Sequence, residues 1–282
     1  MKILTLNTHS LVEKNYEEKL LQFLEVIEKE EPDVFALQEV NQTATAGVYP
    51  SVMLKGFHPC KDYKGVVRLD NHAARLSEFL REKGLFYHWS WISAKMGYDI
   101  YDEGMAIFSK QEIIETHQFF ISNLQDYHNW KTRKAVGIKT ADRGGSWLYC
   151  VHMGWWNDEE EPFRNQWDRI EEAIADKNEY VWIMGDFNSP AEVSNEGYDY
   201  IKSSGWKDSY LYAKEKDSGI TVSKVLDGWK KGEVNDTGMR IDMIWSKDEE
   251  NILSSQVICN GTYYPIVSDH YGVMITIENS HS

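Results

Sequence analysis

Residues 181–189 read VWIMGDFNS. A short apolar run ends at Gly185 and gives way at once to Asp186 and Asn188. That pattern marks a buried strand whose end opens into a polar loop. Such strand ends are where a sheet presents its chemistry. The arrangement recurs on both sides of this stretch. Lys2 to Asn7 reads as a strand ending in Asn7, and Val34 to Val40 as one carrying Gln38 and Glu39 at its end. Trp147 to Met153 carries His152, and Ile241 to Trp245 contains Asp242. Asp269 and His270 lead into the run from Tyr271 to Ile277, and Gly104 to Ser109 is strand-like as well.

Helical stretches alternate with these strands. Tyr16, Leu20, Phe23, Leu24 and Ile27 fall on one helical face, closed by Pro32 and Asp33. His72, Leu76, Phe79 and Leu80 mark a second helix, closed by Gly84. Phe163, Trp167, Ile170 and Ile174 mark a third. The class is α/β. No internal repeat and no Pro/Gly/Ser-rich linker divides the chain, so a single domain over 1–278 is expected, with 279–282 a frayed tail. The polar stretch from Lys214 to Asp236 reads as a long loop or hairpin insertion.

Composition narrows the function. The chain has 282 residues, 42% hydrophobic and 27% charged, enough for a large core without a metal or disulfide staple. Its net charge of −15 disfavours a long polyanionic partner, which needs a positive face. The opening MKILTLNTHS has no signal-peptide pattern, and no run of about 18 apolar residues exists to span a membrane. Three widely spaced cysteines, Cys60, Cys150 and Cys259, fit a reducing compartment. A cytoplasmic location is expected, with no membrane association and no protein partner evident.

Taken one at a time, the polar groups have plain explanations. Glu39 fits an ordinary strand-end carboxylate, and Asp186 a turn residue after glycine. Asn188 fits a helix cap ahead of Ser189 and Pro190. His152 and His270 fit satisfied core histidines. Six strand ends bearing such groups together are hard to explain as turns.

In order, LNTH, LQEV, VHMG, GDFNS, RIDMIW and SDHYG resemble the endonuclease/exonuclease/phosphatase superfamily over nearly the whole chain, from Leu6 to Tyr271. The resemblance implies a four-layer α/β/β/α sandwich with two face-to-face mixed sheets, in which Asn7 and His270 meet in one cleft. It implies a phosphoester hydrolase with a divalent cation, Mg²⁺ or Mn²⁺; hard oxygen ligands suit Mg²⁺. Glu39 matches the metal carboxylate, Asn7 a metal or phosphate ligand, and Asp269 a residue near the metal. Asp186 matches the group that orients the attacking water, and Asn188 one that holds a phosphoryl oxygen. His152 matches a donor to the phosphate, His270 the catalytic histidine, and Asp242 the carboxylate that orients it. Whether Asp186 or His270 takes the proton stays open at this point.

The segment from His58 to Asp102, with LNTHS and LQEVNQ, is similar to the bacterial maltose 6′-phosphate phosphatases, a sugar-phosphatase branch of the superfamily. It implies a small phosphorylated sugar as substrate. Eleven tryptophans and 16 tyrosines offer apolar platforms for sugar rings, with core packing the plainer use. Asp70, Asn71, Tyr101, Asp102, Trp155 and Arg164 are the candidate substrate residues. Lys131, Arg133 and Lys134 form the most basic short cluster, either meeting the phosphate or lining a solvated strand edge. Two other functions compete. One is a DNA endonuclease or exonuclease of the abasic-site type, with a cationic face drawn from Lys55, Lys61, Lys64, Arg68, Arg75 and the Lys131 cluster. The other is a non-catalytic phosphosugar-binding protein.

Overall fold

The strand β1 (Lys2–Asn7) is apolar and buried over most of its length, and it takes the centre of the first sheet. The computed structural model describes residues 1–141, 145–223 and 238–278. Across the first sheet the order is β10 (Glu215–Lys216), β12 (Ile252–Ile258), β13 (Gly272–Ile277), β1, β2 (Val34–Thr43), β4 (Tyr101–Ser109) and β3 (His88–Gly97). The second sheet runs β5 (Ile113–Phe120), β6 (Lys134–Thr140), β7 (Ser146–His152), β8 (Tyr180–Asp186), β11 (Asp242–Ser246) and β9 (Lys207–Asp208). Both sheets are mixed: β1 and β2 are parallel, as are β7 and β8, while most other neighbours are antiparallel.

Side-chain alternation sorts each strand between two cores. Ala36, Ile107, Val136, Leu148, Met184 and Ile275 fill the space between the sheets. Phe35, Leu37, Trp89, Trp91 and Phe108 point the other way, under α1 (Tyr16–Glu30) and α2 (His72–Glu82). Tyr149, Ile183 and Trp245 of the second sheet pack against α3 (Phe163–Ala173) and α4 (Gly197–Ser203). The layers are therefore α/β/β/α. Trp89 and Trp91 share one face, as their spacing predicts, and both are core residues rather than pocket walls.

The expected strands are present, with differences at their ends. β2 runs on to Thr43 because a bulge at Gln38 and Glu39 lets it resume pairing with β4 at Val40. β3, β5, β6 and β12 form strands that apolar runs alone did not mark. β5 is mostly exposed or half-buried, so its composition carries little of the alternation signal. The Lys214–Asp236 stretch runs from β10 into residues outside those described, as does the expected tail at 279–282.

One buried histidine makes stability depend on pH. His72 opens α2, and its Nδ1 meets Tyr16 Oη at 3.0 Å. Burial, helped by the charge of Arg75, lowers its pKa to about 3. The unfolded chain therefore binds a proton near pH 6.5 that the folded chain refuses, and stability falls as pH drops below that value. Between pH 6.5 and pH 5 the loss is about 2 kcal/mol. His72→Gln is expected to flatten the fall in the urea-unfolding midpoint between pH 7 and pH 5. Equal falls in variant and wild type would remove His72 as the cause.

Candidate active site

Register assembles the first half of the site. In the second sheet His152, Asp186 and Asp242 lie opposite one another on β7, β8 and β11, forming one row across three strands. The first sheet contributes Asn7 at the end of β1, and Glu39 from β2. Glu39 sits in the bulge with φ of 51°, a left-handed backbone that a residue with a side chain adopts only at a cost of about 1–3 kcal/mol. The bulge takes its carboxylate out of the strand's alternation. Asn7 then bridges the sheets: its Nδ2 donates to Glu39 Oε1 at 2.9 Å and to Asp186 Oδ2 at 3.1 Å. The loop before β13 is held to the same strand end, since Ser268 Oγ donates to the Asn7 carbonyl at 2.7 Å.

These contacts bring the sequence motifs into one cleft. Asp242 Oδ2 lies 2.9 Å from His270 Nδ1, which leaves His270 Nε2 3.7 Å from Asp186 Oδ2. His152 Nε2 approaches the same oxygen at 3.6 Å. Asp186 Oδ1 accepts the backbone N–H of Asn188 at 2.8 Å, and Asn188 Nδ2 donates to the Met153 carbonyl. Asn188 is thus tied to the strand-end loop and has a left-handed φ of 45°. A cavity of about 300 Å³ opens over this cluster, with Glu39, His152, Asp186, Asn188, Asp269 and His270 in its wall.

The electrostatics divide the titratable groups. Burial pushes the Asp186 carboxyl up to about 7, against the pull of His270 and with help from Asp242. His270 is also buried, but Asp242 and Asp186 outweigh that and push its imidazole up to about 10. His152 is held well below the usual range by burial and by the cations of Arg133, Lys95 and His270. His270 is therefore charged at neutral pH and His152 is neutral. Glu39 is pushed up by burial and by the nearby carboxylates of Glu103 and Asp269.

The donor set fits a divalent cation. Glu39 gathers carboxylates around it, with His9 the nearby countercharge, and hard oxygen donors of this kind suit Mg²⁺ or Mn²⁺. Asp186, Asp242 and His270 also bring ligand atoms within 4.8 Å of one another, and so do His9, Glu13 and Asp269. In the first of these groups Asp242 and His270 are already engaged with each other.

The expected substrate residues separate into two groups. Trp155 stands in the cavity wall, its ring 5.7 Å from that of Trp130. Asp70, Asn71, Tyr101, Asp102 and Arg164 do not line the cavity. Asp70 accepts the backbone N–H of Thr43, and Asn71 caps α2 by accepting the N–H of Ala74. Tyr101 opens β4 opposite Thr43. Asp102 takes Tyr127 Oη, Gln42 Nε2 and Arg68, and Arg164 lies over the rings of Trp156 and Tyr200. Of the basic cluster, Lys131 pairs with Asp158 and Glu160 and Lys134 lies over Phe120, while Arg133 is buried in the cavity wall. A solvated strand edge is therefore the wrong description of Arg133.

Seven wall residues escaped the sequence reading: His9, Lys95, Met96, Gly97, Tyr98, Glu103 and Trp130. Tyr98 and Asp99, both with left-handed φ, form the tight turn between β3 and β4, closed by the Ile100 N–H to the Gly97 carbonyl at 3.1 Å. Position i+1 of such a turn favours Asn or Gly, so a tyrosine there hid the turn. His9 lay inside LNTHS without being singled out.

Residues 4–270 match the model of a family described as the endonuclease/exonuclease/phosphatase family. Among solved structures, an endonuclease/exonuclease/phosphatase family protein from Leptotrichia buccalis C-1013-b is similar at 31% identity with a TM-score of 0.86, over 99% of both chains. A mannosyl-6-phosphatase from Bacteroides thetaiotaomicron VPI-5482 is similar at 16% identity with a TM-score of 0.64, again over 99% of both chains. At that identity the second likeness concerns the fold alone. Comparison with curated proteins finds no match.

Proposed function

The chain belongs to the endonuclease/exonuclease/phosphatase family, and from that premise we propose that it is a metal-dependent phosphomonoesterase acting on a phosphorylated sugar, with maltose 6′-phosphate the first candidate. One observation carries the reading. The polar cluster lies at a cavity of about 300 Å³ walled by Tyr98, Trp130 and Trp155. That volume is at the small end of ligand sites, roughly 300–1,000 Å³, and aromatic walls suit sugar rings. A duplex would need an open cationic face, and three of the cations available for one are paired. Arg68 meets Asp102, Arg75 meets Glu17, and Lys131 meets Asp158 and Glu160. The mannosyl-6-phosphatase neighbour is compatible with a sugar phosphate, although the likeness to it carries the fold only.

In this mechanism Asp186 is the base. Its carboxyl near 7 can accept a proton at neutral pH, whereas His270 already holds one. Asn7 and the N–H of Asn188 fix the Asp186 carboxylate. Water attacks phosphorus in line and its proton passes to Asp186. The bond from phosphorus to the sugar oxygen breaks, and that oxygen takes a proton from solvent to leave as free sugar. Asp186 returns its proton to solvent as inorganic phosphate departs. His270, steadied by Asp242, donates to a phosphoryl oxygen, as does neutral His152 through its protonated ring nitrogen. A divalent cation, Mg²⁺ in this proposal, would be held by Glu39 with Asp269 at its edge, and supplies charge neutralisation at the phosphate. Asn7 serves this site as the donor that orients Glu39.

Phosphate release is measured across phosphodisaccharides, hexose phosphates and inositol phosphates, with and without chelator, beside plasmid nicking. Chelator-sensitive release confined to a phosphorylated sugar is expected. Nicking without sugar-phosphate turnover would overturn the substrate assignment.

A further inference from the structure

We infer that Lys95, seated beside Arg133, makes this cavity selective for the dianion of a phosphate monoester over the monoanion of a diester. The inference deepens the proposed function and rests on it.

It starts from a defect in strand alternation. On β3, Trp89 and Trp91 face the helices and Ile92 faces the space between the sheets. Regular alternation would send Lys95 to the helix side with the tryptophans. A bulge at Ala94 breaks the register between Ser93 and Lys95, so that Lys95 falls opposite Glu103. Glu103 shares the face of Met105, which looks between the sheets. The bulge thus delivers an amine into the cavity wall.

There it joins a second cation. Lys95 and Arg133 are 7% and 4% exposed. Lys95 Nζ donates to the Trp130 carbonyl at 2.9 Å, and Arg133 Nη1 donates to the same oxygen at 2.7 Å. Two positive charges therefore sit side by side on one neutral acceptor. Glu103 pairs with Lys95 at 3.1 Å. Among the described residues Arg133 has no carboxylate within ion-pair distance, and its Nε is buried without a partner. Glu103, Asp186, Glu39 and Asp158 act on Arg133 only from beyond contact distance, so the guanidinium keeps a buried N–H free for an incoming anion. Both residues line the cavity beside His152. Burial and the neighbouring guanidinium lower the Lys95 amine, the direction that an incoming anion reverses.

A phosphate monoester carries about 1.5–2 negative charges at pH 7, and a diester carries one. Arg133 meets the demand of either. The second cation rewards only the second charge, so the discrimination falls to Lys95.

The test uses p-nitrophenyl phosphate and bis(p-nitrophenyl) phosphate with wild type, Lys95→Met and Lys95→Arg. In Lys95→Met, monoester kcat/KM is expected to fall about 30-fold more than diester kcat/KM, the size of one hydrogen bond between charged groups. Lys95→Arg is expected to keep most of the preference. Equal losses on both substrates would mean that Lys95 only anchors the Trp130 loop, and would overturn the inference. So would an unchanged ratio. A second measurement needs no variant: inhibition of wild type by methyl phosphate and by dimethyl phosphate. Methyl phosphate is expected to bind about tenfold tighter at pH 7.5, with the gap closing near pH 5 as it loses its second charge. No gap at pH 7.5 would also overturn the inference. Wild type that releases phosphate from no monoester would instead remove the proposed function itself.

Discussion

Asp186→Asn is expected to lower kcat for phosphate release about a thousandfold, within the roughly 10²–10⁴ that a positioned acid or base contributes. The same substitution is expected to make stability less dependent on pH. Asparagine has one acceptor oxygen where the carboxylate uses two, Oδ2 for the Asn7 amide and Oδ1 for the Asn188 N–H, so it keeps one of these bonds and loses the other. What it cannot do is take a proton from water. The stability forecast follows from the raised carboxyl. Between the ordinary value near 4 and about 7 the folded chain holds a proton that the unfolded chain has lost. Stability therefore declines as pH rises through that window, and the neutral amide escapes the decline. Urea-unfolding midpoints taken in chelator at pH 5 and pH 8 read this directly, with wild type losing more than the variant between the two. Turnover within a few-fold of wild type would end the assignment of Asp186 as base.

Glu39→Gln carries the second large effect. It keeps the left-handed backbone and the hydrogen bond from Asn7 but removes the charge. Affinity for Mg²⁺ and Mn²⁺, read by calorimetric titration, is expected to fall by more than the roughly 10–100-fold typical of losing a group that merely supports a ligand. Phosphate release should fall with it and recover in part at high metal concentration. A titration curve that matches wild type would move the metal away from Glu39 and toward the Asp186, Asp242 and His270 group.

The catalytic groups were legible because each borders an apolar run, and the ends of neighbouring strands that carry them gather at one edge of a sheet. His152, Asp186 and Asp242 show this in their register. Lys95 was not legible for the converse reason. Its placement depends on a bulge, and a bulge is a relation between two strands rather than a property of either sequence. The same relation moves Glu39, but there the surrounding motif supplied the answer. Asp70, Asn71 and Asp102 misled because polar residues near a site read alike whether they face a ligand or tie a loop. Here they bond to Thr43, Ala74 and Tyr127. The four layers themselves came from the resemblance, since alternating elements alone do not say how sheets stack.

The place of β13 has a consequence for the growing chain. It lies between β12 and β1, pairing antiparallel with both. Synthesis makes β1 first and β13 last among the described strands. Until then one side of β1 offers unpaired N–H and C=O groups at the heart of the first sheet, a template for pairing with other chains. Emergence of β13 closes that edge. The segment just before it brings His270 to Asp242. Protection from aggregation and completion of the proton-handling pair therefore arrive together on the ribosome, and a nascent chain stopped short of β13 lacks both.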